Sequence, residues 1–174
     1  MNIANKLTML RVALIPVFLV ILYWGFPYSR YVALAIFIIA SLTDYVDGHL
    51  ARSRNLVTDF GKFMDPLADK VLVITAMLWF VQIDVLPAWA VAIVILREFA
   101  VSGMRLIAVE KGRVIAAAWS GKVKTASTMV CLCLLFLPLP SILIWICVAV
   151  IVGTTLWSGV EYFVKNRDVF SGEM

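Results

Sequence analysis

The chain has little charge, and least of all acid. Of 174 residues only 15% are charged, and Asp and Glu together number 11. No charge interrupts residues 125–160. With 63% of residues hydrophobic, a water-soluble domain of this size is excluded, because most of a folded surface must meet water. The membrane class remains. No polar or Gly/Ser-rich stretch marks a linker, so residues 1–174 read as one membrane domain. Histidine is nearly absent: His49 is the only one, and it makes no ligand spacing with Cys131, Cys133 or Cys147. These cysteines lie in apolar runs and read as small packing residues. A small-x-small cleavage site is also missing after the first apolar stretch, where Trp24-Gly25-Phe26-Pro27-Tyr28 follows instead. That stretch therefore reads as a retained span.

Apolar runs set the span count. A helix needs roughly 20 residues to cross the hydrocarbon core. Residues 12–28 form a first span. The runs 31–43 and 71–83 are too short alone. The first must continue through Asp44 toward Arg52, and the second must extend back through Asp69 and Asp65. A fourth span covers about 85–108 and contains Arg97, Glu98 and Arg105. Pro138-Leu139-Pro140 breaks the uncharged stretch into spans five and six. The fold expected is an all-α integral membrane protein with six transmembrane helices. Both termini then share a side with Lys6, Arg11, Arg52, Arg54, Lys62, Lys111, Arg113, Lys122, Lys124, Lys165 and Arg167, while the opposite loops hold Arg30. The asymmetry puts the termini and the acid-bearing ends in the cytosol. Trp24, Tyr28, Trp89 and Trp145 fall toward the outer half, as interfacial anchors or as core aromatics.

Against this background four aspartates stand out. Asp44 and Asp47 are three apart, Asp65 and Asp69 four apart, so each pair shares a helix face. Carboxylates at membrane depth need a partner. Four on two helices joined by a short loop make an oxygen-only donor set that suits Mg²⁺, Mn²⁺ or Ca²⁺ better than zinc. Four acids also suffice for two ions clamping a transferring phosphoryl group. Gly48, Ala51 and Gly61 are small on these faces, which suits close helix packing or, beside the acids and Arg52, a phosphate-bearing ligand. Pro66 requires that span three begin there or that its helix be kinked. Asp59 reads as a loop acid, and Asp84 and Asp168 as solvated loop charges.

A second group is basic. Arg97 and Arg105 lie two turns apart on span four, and Lys122 and Lys124 enter span five. Guanidinium forks and ammonium groups at a membrane edge bind phosphate well. The lysines also suit positive-inside flanking, and Arg97 with Glu98 suits a local ion pair.

Asp44-x-x-Asp47-Gly48-x-x-Ala51-Arg52, eight residues, then Gly61-x-x-x-Asp65-x-x-x-Asp69 resembles the signature of the CDP-alcohol phosphatidyltransferases at every fixed position. Asn5-Lys6-Leu7-Thr8-x-x-Arg11 resembles the N-terminal segment of bacterial members. Pro66-Leu67-Ala68-Asp69-Lys70, Arg97-Glu98-Phe99 with Arg105, and Gly121-Lys122-x-Lys124-Thr125 are similar to the phosphatidylglycerophosphate synthase branch. The resemblance implies six transmembrane helices, usually as a homodimer, around a cytosol-facing polar cavity. It implies transfer of a phosphatidyl group from CDP-diacylglycerol to sn-glycerol 3-phosphate, releasing CMP. By the same resemblance Asp44, Asp47, Asp65 and Asp69 hold two divalent metals, Mg²⁺ or Mn²⁺, and Asp69 is the general base. The resemblance also implies that Asn5, Thr8, Asp44, Gly48, Ala51, Arg52, Thr58 and Gly61 bind CDP-diacylglycerol. Arg97, Arg105, Lys122 and Lys124 would take the acceptor's phosphate. Other acceptors remain open within the same chemistry: phosphatidylglycerol, inositol phosphate or serine. A divalent-cation transporter is the alternative outside it, and spans that turn wholly apolar beyond the acids disfavour that path.

Overall fold

The computed structural model describes the backbone of residues 3–53, 59–113, 115–116 and 118–169, and side chains outside 3–8, 11, 44–53, 59–63, 65 and 66. Within these residues it is all-helical, with no strands. Six α-helices follow in order: α1 (Ile3–Trp24), α2 (Ser29–Ser53), α3 (Asp59–Gln82), α4 (Ala88–Glu110), α5 (Trp119–Leu135) and α6 (Ser141–Lys165). A 3₁₀ turn, Arg167–Val169, follows α6.

The two short apolar runs do extend as helix through the acid positions, since α2 continues to Ser53 and α3 begins at Asp59. Asp59 is thus the first residue of a helix rather than a loop acid, a place where Asp is favoured. The helix runs past Pro66 instead of starting there. The first helix ends at Trp24, short of the expected residue 28, where Gly25 takes φ +68°. Only glycine adopts that conformation at little cost. Pro87 and Pro140 immediately precede α4 and α6. Their missing N–H is one the first turn of a helix leaves unbonded anyway.

One described helix, Ser141–Lys165, is long and apolar enough to cross a bilayer, with a mean hydropathy of 2.1 in its most apolar window. Val12–Trp24 and Ser29–Thr43 are shorter apolar helical stretches. Ionic residues interrupt the rest: Lys70 with the aspartates of α3, Arg97, Glu98 and Arg105 in α4, Lys122 and Lys124 in α5.

The chain forms two compact units. The first comprises residues 1–79 with 136–138. Here α1 packs on α2; Ile15, Phe18 and Leu22 on one helix and Ala33, Phe37 and Ala40 on the other are buried, and the Phe18 and Phe37 rings lie 6.3 Å apart. Phe18, Phe37, Trp79 and Phe136 form an aromatic cluster, with Phe18 edge-on to Phe136 at 6.1 Å and Trp79 stacked on Phe136 at 6.0 Å. Such pairs add about 0.5–1.5 kcal/mol each beyond area burial. Trp24 and Tyr28, left open between anchoring and core packing, are exposed.

The second unit comprises residues 80–135 and 139–174. In it α6 packs on both α4 and α5. Val101, Met104, Ala108, Tyr162 and Val169 form a buried core. The α5–α6 seam is more polar: Ser127 and Thr154 hydroxyls lie 3.2 Å apart across it, and Thr128, Thr155 and Ser158 are buried. Small hydroxylated residues let helices approach closely in a membrane. Cys131 and Cys147 are buried, as expected of packing residues, while Trp89 and Trp145 are exposed. Gly112, at φ +70°, ends α4, with Arg113 N donating to Ala108 O and Gly112 N to Val109 O. Arg113 then pairs with Asp168, and Lys111 Nζ donates to Val169 O at 2.8 Å. Asp168, expected as a solvated loop charge, is about half exposed and has Arg113 as its partner.

Candidate active site

The acid positions inherit their place from the core of the first unit. At about 100° per residue, residues 33, 37, 40, 44, 47 and 51 of α2 lie within an arc of about 80°. The same arithmetic places 65, 69, 72, 76 and 79 of α3 on one comparable stripe. Ala33, Phe37 and Ala40 on α2 and Leu72, Ala76 and Trp79 on α3 are buried. In helical register, each aspartate pair continues a stripe that is core toward the other end. Asp69 is half-buried. The side chains of Asp44, Asp47 and Asp65, and of Asn5, Thr8, Gly48, Ala51, Arg52 and Gly61, lie outside the described residues, as does all of Thr58. Among the described residues no three metal-ligating side chains come together.

The basic group is described in full, within the second unit. Glu98 joins two of its cations. Arg97 Nη1 lies 3.0 Å and Lys124 Nζ 2.7 Å from the same oxygen, Glu98 Oε1. Arg97 Nη2 donates to Ser158 Oγ on α6. Lys124 is 6% exposed at its side chain, Arg97 14% and Glu98 17%. The cluster ties α4 to α5 and α6. Gly159 lies against it, and a Cβ there would stand 3.4 Å from Arg97 Cγ, at the near edge of ordinary contact. The local Arg97–Glu98 pair is thus present, and it is wider than neighbours in sequence suggest.

Arg105 is arranged differently. Its Nε donates to Tyr162 Oη at 3.0 Å, its guanidinium lies over the same ring at 5.6 Å, and the residue is exposed. Lys122 is exposed on α5. Ser158 and Tyr162 were not among the residues expected from the sequence. Their signal is periodic: Thr155, Ser158 and Tyr162 recur at helical spacing and break the apolar run of α6.

The profile of the CDP-alcohol phosphatidyltransferases matches residues 1–157, both acid pairs and the basic group included. The chain belongs to that family. Family members are membrane-bound transferases, consistent with the apolar α6. A Bacillus subtilis (strain 168) protein named CDP-diacylglycerol--glycerol-3-phosphate 3-phosphatidyltransferase is 43% identical over 95% of each chain. The Escherichia coli (strain K12) protein of the same name is 41% identical, again over 95% of each. A Mycobacterium tuberculosis protein named probable phosphatidylglycerophosphate synthase is 39% identical over 97% of this chain and 83% of its own.

Proposed function

We propose that the chain transfers a phosphatidyl group from CDP-diacylglycerol to sn-glycerol 3-phosphate, giving phosphatidylglycerophosphate and CMP. The observation that carries this reading is similarity over 95–97% of the chain, at 39–43% identity, to the three relatives whose names specify this reaction or its product. The complete acid signature from Asp44 to Asp69 supports the donor half. The clustered cations of α4 and α5 support an acceptor that carries phosphate.

The donor set fits divalent metal. Four carboxylates at membrane depth, in register with a buried stripe, match the hard oxygen ligands that Mg²⁺ or Mn²⁺ takes. In this reading Asp44, Asp47, Asp65 and Asp69 hold two ions, which when bound stabilise the charge that grows on the phosphate oxygens. Asp69 takes the proton from the acceptor's hydroxyl as its oxygen attacks the lipid-linked phosphorus. The new P–O bond forms as the bond to CMP breaks, and CMP leaves with the electron pair. Asn5, Thr8, Gly48, Ala51, Arg52, Thr58 and Gly61 orient the CDP-linked lipid. Arg105 and Lys122, both exposed, take the acceptor's phosphate, while Arg97 and Lys124, paired with Glu98, add positive charge to the same group of helices.

The chain is one membrane domain crossing six times, with termini and acid-bearing ends cytosolic by the distribution of Lys and Arg, and it acts as a homodimer. Purified protein with Mg²⁺, CDP-diacylglycerol and competing acceptors tests the function. The expected product is a lipid carrying two phosphates, formed from glycerol 3-phosphate in preference to phosphatidylglycerol, inositol phosphate or serine. Preference for any of those three overturns the assignment of the acceptor.

A further inference from the structure

The two arginines of α4 differ in what their guanidinium groups have left to offer. Both terminal nitrogens of Arg97 are engaged, one by Glu98 and one by Ser158. Arg105 uses only Nε, toward Tyr162 Oη. Among the described residues its two terminal nitrogens make no hydrogen bond, and the side chain is exposed. Two parallel N–H groups on the outer edge of a guanidinium are the fork that binds a phosphate bidentately.

What holds that fork is unusual for a surface arginine. Tyr162 is 2% exposed. Its ring is packed among Val101, Met104, Ala108 and Val169, and its main-chain oxygen accepts from Asn166 Nδ2 at 2.8 Å. The phenol oxygen is therefore fixed by the core. The hydrogen bond from Nε to the phenol oxygen, with the ring centroid 5.6 Å from the guanidinium carbon, restrains the position of Arg105. An unrestrained arginine would lose much rotamer freedom on binding, and that loss is avoided when the side chain is held beforehand.

We infer that Tyr162 is a positioning residue, which holds Arg105 with its open fork directed to the phosphate of the acceptor. Arg97 and Lys124 act differently, since together with Glu98 and Ser158 they brace the three helices that carry the fork. The inference rests on the proposed function, because it takes the acceptor to be a phosphate monoester.

The test uses the purified full-length enzyme and the variant Tyr162→Phe, which keeps the ring in the core and removes one oxygen. The KM for glycerol 3-phosphate should rise about three- to tenfold, the range for losing one ordinary hydrogen bond. The kcat for CMP release should stay within about twofold, and the KM for CDP-diacylglycerol should not move. Inorganic phosphate, as a competitive inhibitor against glycerol 3-phosphate, should weaken by a similar factor. In an Arg105→Lys background, which has no Nε to hold, Tyr162→Phe should add nothing. An unchanged KM in Tyr162→Phe overturns the inference. So does a second effect of full size in the Arg105→Lys background, or a parallel fall of kcat with thermal stability. Wild-type enzyme that releases no CMP in response to glycerol 3-phosphate would instead sink the functional reading and this inference with it.

Discussion

Arg97 and Arg105 sit two turns apart on one helix and solve opposite problems. Arg97 is largely withdrawn from solvent, and its positive charge shares one carboxylate oxygen with Lys124. Arg105 is exposed and rests on a neutral phenol. A buried ion cluster is costly to break, because removing one partner leaves charge uncompensated. An open, pre-oriented guanidinium adds little to stability but much to binding. Within a set that looks uniform in the sequence, one arginine is bound into an ion cluster and the other keeps its terminal nitrogens open among the described residues.

The largest expected effect breaks the buried side of the comparison. Glu98→Gln leaves Arg97 and Lys124 beside each other without a carboxylate, and should cost about 3 kcal/mol. Denaturant unfolding in detergent measures it; a change under about 1 kcal/mol would mean that the cluster does not brace the helices. Arg105→Lys should do the reverse. Stability stays within about 0.5 kcal/mol, while the KM for glycerol 3-phosphate rises about tenfold as a bidentate fork becomes a point charge. Gly159→Ala should be smaller: the added Cβ meets Arg97 Cγ at 3.4 Å, and the helix preference of alanine, about 1 kcal/mol, offsets the crowding. A net loss above about 2 kcal/mol would reveal a tighter socket around Arg97.

The smallest effect belongs to the surface pair at the end of the chain. The Arg113 guanidinium beside Asp168 holds its carboxyl below the ordinary value. Its contribution to stability is therefore present above the ordinary carboxylate range, and is lost as pH falls through the lowered native value. Both side chains are about half exposed, so salt should erase the effect and Asp168→Asn should barely move the unfolding midpoint at neutral pH. A marked loss at neutral pH would show that the pair anchors the last turn.

Much of this is legible in the sequence. The short apolar runs required helices through both aspartate pairs, and α2 and α3 have them. Pro138-Leu139-Pro140 marked the break between α5 and α6. Helix ends were less legible: Trp24 ends α1 because Gly25 accepts a positive φ, a feature no hydropathy window records. Least legible were the long-range pairings. Nothing in the sequence joins Glu98 to Lys124 or Arg105 to Tyr162, because those contacts depend on how α4, α5 and α6 rotate against one another. The stripe Thr155, Ser158, Tyr162 was the available clue, and it reads equally well as membrane helix packing.

The central claim is acceptor-dependent phosphatidyl transfer with Asp69 as base, and CMP release measures it most directly. With CDP-diacylglycerol and Mg²⁺, release should saturate with glycerol 3-phosphate, stop when the metal is chelated, and be lost in a folded Asp69→Asn variant. Release that persists without glycerol 3-phosphate, or near-normal turnover in Asp69→Asn, would contradict the account.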